Sequence, residues 1–235
     1  MDRWLANMGC GSRNEVKRLL KSGRVRLNGR VTRDAQIQVA PDRDQVTLDG
    51  TPVLYRQYLY LMLHKPAGVI SATEDRRERT VLDLVAVKYR EKGLFPVGRL
   101  DKDAEGLLLL TNNGPLGHQL LSPKKHVVKN YFVRVAGRVN AGDQAAFRQG
   151  IVLDDGYRTL PAELTIISAG EVSAVQVAIR EGKFHQIKRM FQALGKEALY
   201  LRRFSMGPLV LDGQLGPGEY RELTGAEIAA LEAEL

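Results

Sequence analysis

The run Gly106-Leu107-Leu108-Leu109-Leu110 constrains this chain more than any other stretch of it. Consecutive leucines leave no polar face, and Gly106 on one side and the Asn112-Asn113-Gly114 turn on the other bound the segment tightly. A short apolar run between turn signals predicts a buried strand. Arg99 and Asp101 stand just ahead of it. An aspartate at the rim of a buried strand is partly desolvated and stays ionised only with a cation close by. Such a carboxylate suits nucleophilic or acid/base work. An aspartate that merely caps a turn beside a surface arginine has the same spacing, and spacing alone leaves both readings open.

The chain's 235 residues are enough for one sound core, or for a small module joined to a larger one. Its formal charge of +8 favours a polyanionic partner. The distribution says more than the total. Residues 1–33 hold nine Lys or Arg against only Asp2 and Glu15, an excess of seven. The single cysteine, Cys10, excludes an internal disulfide, and His64, His118, His126 and His185 show no metal-ligand spacing. There is no charged-then-apolar leader and no long apolar span, so the expected compartment is the cytoplasm and no membrane partner is expected.

The basic end is patterned. Trp4, Leu5 and Met8 recur at helical spacing before Gly9, which predicts a short helix with a glycine stop. Ser12 to Glu15 is a capping box, and Val16, Leu19 and Leu20 give the next helix its apolar stripe up to Ser22-Gly23. Val25 and Leu27 then alternate with arginines, Asn28-Gly29 makes a tight hairpin turn and Val31 resumes the strand. Arg13, Lys17, Arg18, Lys21, Arg24, Arg26 and Arg30 are expected on the outer faces, with too few acids to pair them. That pattern suits phosphate contacts.

From Val46 to Tyr58 the chain is polar and punctuated by Asp49-Gly50 and Pro52, which reads as the close of the first module and a linker. Strands are expected at 58–63, ahead of His64-Lys65-Pro66-Ala67-Gly68, and at 95–97, 107–110, 131–135, 164–167 and 172–179, the last two joined as a hairpin. Thr80 and Asp83 start a helix through Lys88. Further helices are expected at 144–148 and 184–194, the last with Phe184, Ile187, Phe191 and Leu194 as its buried stripe and His185, Lys188 and Arg189 on a separate cationic face. Strands without regular helix alternation predict an α+β fold with a largely antiparallel mixed sheet. The sequence holds no phosphate loop, dinucleotide fingerprint or serine elbow, so no cofactor is expected.

Gly98-Arg99-Leu100-Asp101, Gly106, the leucine run, Thr111, Asn112 and Gly114 together resemble the signature of pseudouridine synthases, in the branch that modifies ribosomal RNA. Asn113 stands where that family more often carries Asp. Lys129-Asn130-Tyr131 resembles the family's K-x-Y motif, and His185-Gln186-Ile187-Lys188 its third motif. Residues 1–48 resemble the S4 RNA-binding domain, so a division into 1–55 and a catalytic 56–235 is expected.

The resemblance implies that Asp101 is the nucleophile, that Lys188 pairs with it and that Tyr131 stacks on the target uracil; a weaker analogy has Arg99 fill the gap left by the flipped uridine. Flipping is required because a stacked base hides its reacting atoms. Lys129, His185 and Arg189 join the amino-terminal cations as expected RNA contacts. The run H-Q-I-K-R-M is closer to the RsuA group than to large-subunit relatives that read N-R-E-V-R-R. The expected substrate is therefore a uridine of 16S rRNA, free or in an assembling small subunit, acted on by a monomer. A 23S rRNA synthase and a non-catalytic RNA-binding factor are the alternatives.

Overall fold

The computed structural model describes residues 1–41, 43–53, 58–122, 125 and 127–234, together with the backbone but not the side chain of Asn7. His126 and the expected 55/56 boundary lie outside the described residues. The chain forms two compact units, Met1–Tyr58 and Leu59–Leu235.

In the first unit, helices α1 (Asp2–Asn7) and α2 (Arg13–Lys21) precede strands β1 (Val25–Leu27), β2 (Arg30–Val31), β3 (Val46–Leu48) and β4 (Thr51–Pro52). The capping box forms as read: the Ser12 hydroxyl accepts from Glu15 N at 3.3 Å, and the Glu15 carboxylate accepts from Ser12 N at 2.7 Å. Asn28 and Gly29 take φ of 51° and 79°, the left-handed pair that a two-residue hairpin turn needs. Asp49 and Gly50 do the same, at 51° and 80°. Residues 46–52 are thus a second hairpin rather than a linker, and the antiparallel sheet runs β2-β1-β3-β4. The sequence reading missed it because a two-residue arm such as β4 is too short to show alternation. Met1, Leu5, Val16, Leu20, Val25 and Val46 form this unit's core.

The second unit is built on a nine-stranded sheet. Its main strands are β5 (Tyr60–Lys65), β7 (Glu105–Thr111), β8 (Lys129–Ala136), β9 (Glu163–Ser168), β10 (Val172–Ile179), β11 (Glu197–Met206) and β13 (Tyr220–Glu222), in the order β13-β5-β7-β11-β8-β10-β9. Short β6 (Phe95–Pro96) pairs with β7, and β12 (Leu209–Val210) with β11. Every ladder is antiparallel except β7 with β11. Helices α3 (Val87–Arg90), α4 (Gly114–Leu121), α5 (Ala141–Gln149), α6 (Gln186–Ala193) and α7 (Gly225–Ala233) complete the unit.

The leucine run is an inner strand, and Leu107 to Leu110 are each 0% exposed. Full burial of each contributes about 2 kcal/mol. The Phe147 ring on α5 packs on the Phe191 ring on α6, with centroids 5.1 Å apart. Among the described residues no helix is long and apolar enough to cross a membrane.

Two expectations need correction, and one strand was not expected. The helix expected from Thr80 to Lys88 is a 3-10 turn, Val81–Leu84, followed by α3, although the Thr80–Asp83 cap is present. Strand β11, central in the sheet, was not foreseen, because Arg202 and Arg203 interrupt its apolar alternation; Arg203 is nevertheless 2% exposed. Phe184 is not in a buried stripe. It is 69% exposed, because His185 turns left-handed at φ 48° and α6 begins only at Gln186.

Candidate active site

Asp101 opens a tight turn that ends where Ala104 N bonds back to the Asp101 carbonyl at 3.1 Å. Lys65, at the end of β5, holds this turn from beneath. Its ammonium reaches four backbone carbonyls, of Ala104 at 2.8 Å, Asp101 at 2.9 Å, Pro66 at 3.0 Å and Lys102 at 3.3 Å. An ammonium has three protons, so at least one is shared. Lys65 is 0% exposed, and burial pushes its ammonium down to about 8, against the pull of Asp103, Asp101 and Glu105. The loop after β5 adds its own bonds. Gly68 N donates to the Lys102 carbonyl, and the Ser71 hydroxyl both donates to Leu100 O at 2.9 Å and accepts from Leu100 N at 3.0 Å. The carboxylate therefore sits on a turn tied down residue by residue. Nothing in the sequence reading found Lys65 or Ser71; the only signal was a lysine placed at the end of an apolar strand.

The side chain of Asp101 is 22% exposed and meets two groups from the start of α6. Lys188 Nζ is 3.6 Å from Asp101 Oδ2, and His185 Nε2 is 3.6 Å from Asp101 Oδ1. Lys188 is bound more closely by Asp103, at 2.5 and 2.6 Å from its two oxygens. Burial raises the Asp103 carboxyl, but the Lys188 bonds outweigh this and hold it below the usual range. The site is thus one lysine shared by two carboxylates, with an imidazole alongside. Asp103 was not among the expected site residues.

The start of α6 is itself fixed. Glu181, 8% exposed, accepts from Tyr157 OH at 2.6 Å, Gln186 Nε2 at 2.7 Å and Leu160 N at 2.9 Å. Arg189 grips Asp154 and Asp155, the latter at 2.8 Å. Its side chain, 15% exposed, is taken up by these two carboxylates. Arg189 therefore locks a loop onto α6 and is not an open phosphate contact, which corrects the expectation.

Tyr131 reaches the same end of the sheet through strand register. Lys65 pairs with Gly106, Gly106 with Arg203, and Arg203 with Tyr131, one row across β5, β7, β11 and β8. By strand spacing Tyr131 is about 10 Å from Gly106. The row needs glycine at 106, where φ is +109° and a Cβ would come within 2.1 Å of Arg203 O. Tyr131 is 6% exposed. Lys129, expected to touch RNA, is buried instead and donates to Val127 O at 3.0 Å. Burial, helped by the Arg203 charge, pushes its ammonium down to about 8. Arg99 is exposed, two residues ahead of Asp101.

In the first unit Arg13, Lys17, Arg18, Lys21, Arg24 and Arg26 are all exposed. The face is not wholly unpaired, however. Arg24 makes a bidentate bond to Asp49 at 2.8 and 2.5 Å, and Lys17 lies 4.0 Å from Asp2. Among the described residues no group of three His, Cys, Asp or Glu is placed to hold a metal ion.

Residues 59–193 match the family model described as RNA pseudouridylate synthase, and residues 2–46 the S4 domain. The chain is 48% identical over 98% of its length to an uncharacterised RNA pseudouridine synthase, YtzG, of Bacillus subtilis, covering 97% of that protein. It is 38% identical to the ribosomal small subunit pseudouridine synthase A of Vibrio cholerae, covering 98% of each chain. Against the ribosomal large subunit pseudouridine synthase B of Bacillus subtilis it is 35% identical, covering 99% of this chain and 95% of that one. A crystal structure of a pseudouridylate synthase matches with a TM-score of 0.70 at 34% identity, over 98% of both chains. The match spans both units, and with the signature turn around Asp101 it shows that the chain belongs to the RNA pseudouridylate synthase family, with an S4 domain ahead of the catalytic unit.

Proposed function

We propose that this pseudouridine synthase acts on a single uridine of 16S rRNA, with Asp101 as its nucleophile. The observation that carries the assignment is the half-buried Asp101 carboxylate, flanked at 3.6 Å by Lys188 and at 3.6 Å by His185, on a turn that Lys65 holds rigid. The target uridine leaves its stack and enters beside this carboxylate. Asp101 attacks either uracil C6 or ribose C1′. The N1–C1′ bond breaks, the base rotates and C5 bonds to C1′; the bond to Asp101 then breaks to return the free carboxylate, C5 loses its proton and N1 gains one. Nothing is oxidised or hydrolysed. Lys188 keeps the carboxylate oriented and its charge balanced, and Tyr131, 6% exposed at the same end of the sheet, stacks on the base. Arg99, exposed beside the turn, occupies the gap in the RNA. The S4 domain supplies affinity through phosphate contacts that position the RNA without reading its sequence.

The 16S choice rests on the H-Q-I-K-R-M run at 185–190. The large-subunit relative at 35% identity supports a 23S target as the second reading. Release of tritium from [5-³H]uridine-labelled 16S and 23S rRNA, assayed separately, tests both. Release from 16S rRNA alone, absent in Asp101→Asn, is the expected result. Release from 23S rRNA alone would move the substrate to the large subunit.

A further inference from the structure

Phe184 is the one aromatic among the exposed large apolar side chains of the described residues, at 69% exposure. Its ring stacks on His185, with centroids 3.8 Å apart and planes 18° from parallel. One face of the phenyl ring is thereby covered by imidazole, and the exposure leaves the other face to solvent. Through its Nε2 the same imidazole comes within 3.6 Å of Asp101 Oδ1. His185 thus touches both the Asp101 carboxylate and the Phe184 ring.

The turn that carries this stack is held in place. Glu181 ties it to Leu160, Tyr157 and Gln186, and Lys183 N bonds to Gln186 Oε1 at 2.9 Å. The left-handed His185, at φ 48°, aims residue 184 away from the helix that follows. Packing does not explain an aromatic ring displayed this way beside an RNA-modifying site.

We propose that the open face of Phe184 is a stacking platform for an unpaired nucleobase of the substrate RNA, a neighbour of the target uridine and not the target itself. The geometry separates the two. A base on the outer face of Phe184 has the whole phenyl ring between it and the imidazole whose Nε2 meets Asp101, so it is not the base that reacts. Single-stranded RNA is commonly held by stacking splayed bases on aromatic side chains, and every base offers a π-face, so such a contact is tolerant of sequence. A neighbouring base held there would stop the strand from closing over the gap while the uridine is out. The proposal assumes only that the substrate is RNA, as the family requires, and does not depend on the 16S assignment.

The test uses the full chain and a mixture of labelled 16S and 23S rRNA, so that an error in the choice of subunit leaves it intact. Phe184→Leu keeps apolar bulk without a π-face and should raise KM about 10-fold with kcat within about 2-fold, while Phe184→Tyr stays near wild type. In a second arm, tryptophan emission of Phe184→Trp is compared with that of the wild type, which carries only Trp4. Oligouridylate should quench the added emission, and an abasic oligomer with the same number of phosphates should not. An unchanged KM in Phe184→Leu, or a loss confined to kcat, would overturn the proposal. So would equal quenching by the two oligomers, which would mean that phosphates and not bases meet this surface.

Discussion

Lys188 is bound to Asp103 by both carboxylate oxygens, at 2.5 and 2.6 Å, yet stands 3.6 Å from Asp101. One ammonium therefore serves two carboxylates, and the more exposed of them holds it more tightly. Asp103 is 71% exposed on its side chain and Asp101 22%. The arrangement holds the lysine beside Asp101 while its direct bonds go to Asp103. It also leaves two carboxylates within reach of one substrate.

The two carboxylates are separable by substitution. Asp101→Asn should remove pseudouridine formation, because an amide keeps the shape but cannot act as an anionic nucleophile. Asp103→Asn should keep kcat within about 5-fold, since Lys188 then turns wholly to Asp101. Single-turnover tritium release measures both. If Asp103→Asn is as inactive as Asp101→Asn, the nucleophile cannot be assigned to Asp101 alone.

Lys188→Met should lower kcat by on the order of 100-fold while changing RNA affinity little, because the lost charge faces the reacting carboxylate. Lys188→Arg should recover part of the rate. Equal losses in Met and Arg variants would point to packing rather than charge.

Lys65 should matter for both folding and rate. Lys65→Met takes the buried donor from four carbonyls; those of Asp101 and Lys102 keep bonds from Ala104 N and Gly68 N, and those of Pro66 and Ala104 lose theirs. Destabilisation on the order of 2–3 kcal/mol is expected, as for buried acceptors left unsatisfied. Urea unfolding checks that figure. Activity of the folded fraction should also fall, because the turn bearing Asp101 loosens. Full activity in the variant would mean that the remaining bonds, from Gly68, Ser71 and Ala104, suffice.

Where the chain is periodic or capped, it was legible. The Ser12 box, the Asn28-Gly29 turn, the leucine strand and the hairpin of β9 and β10 all follow from local chemistry. The contacts of Asp101 with Lys188 and His185 were reachable only through resemblance, because 84 residues separate His185 from Asp101 and no local rule joins them. Buried charge was opaque for a different reason. Lys129 was expected to touch RNA, and nothing marked Lys65 or Arg203 as buried, since composition cannot foresee the carbonyls that accept a buried charge's bonds. Phe184 failed in the opposite sense. Its helical spacing from Ile187 and Phe191 is real in the sequence, but the left-handed His185 breaks the period one residue later.

Lys129 gives a pH-dependent signature of burial. Folded, its ammonium loses its proton near pH 8, whereas in the unfolded chain a lysine holds it to about 10.4. Between those values the unfolded state binds more protons, so raising the pH favours the folded state. The stability of the wild type relative to Lys129→Met should therefore rise from pH 8 to pH 10. Lys65 shifts in the same direction but is present in both proteins, so the comparison isolates Lys129. Parallel urea midpoints across that range would mean that Lys129 is solvated after all.

The exposed cations of α2 should set affinity through phosphate neutralisation. Each Lys or Arg that meets a phosphate releases a condensed counterion, so the slope of log K against log salt counts such contacts. Arg13, Arg18 and Lys21 are exposed on one short helix, whereas Arg24 is held by Asp49. Replacing Arg13, Arg18 and Lys21 together by Gln should weaken rRNA binding and flatten the salt slope by roughly two to three units, for three lost phosphate contacts. Arg24→Gln should change the slope less, because that guanidinium must first leave Asp49. Filter binding between 50 and 200 mM salt gives both slopes, and kcat at saturating RNA should stay unchanged. An unchanged slope in the triple variant would reduce this face of α2 to solvated surface and leave RNA placement to the catalytic unit.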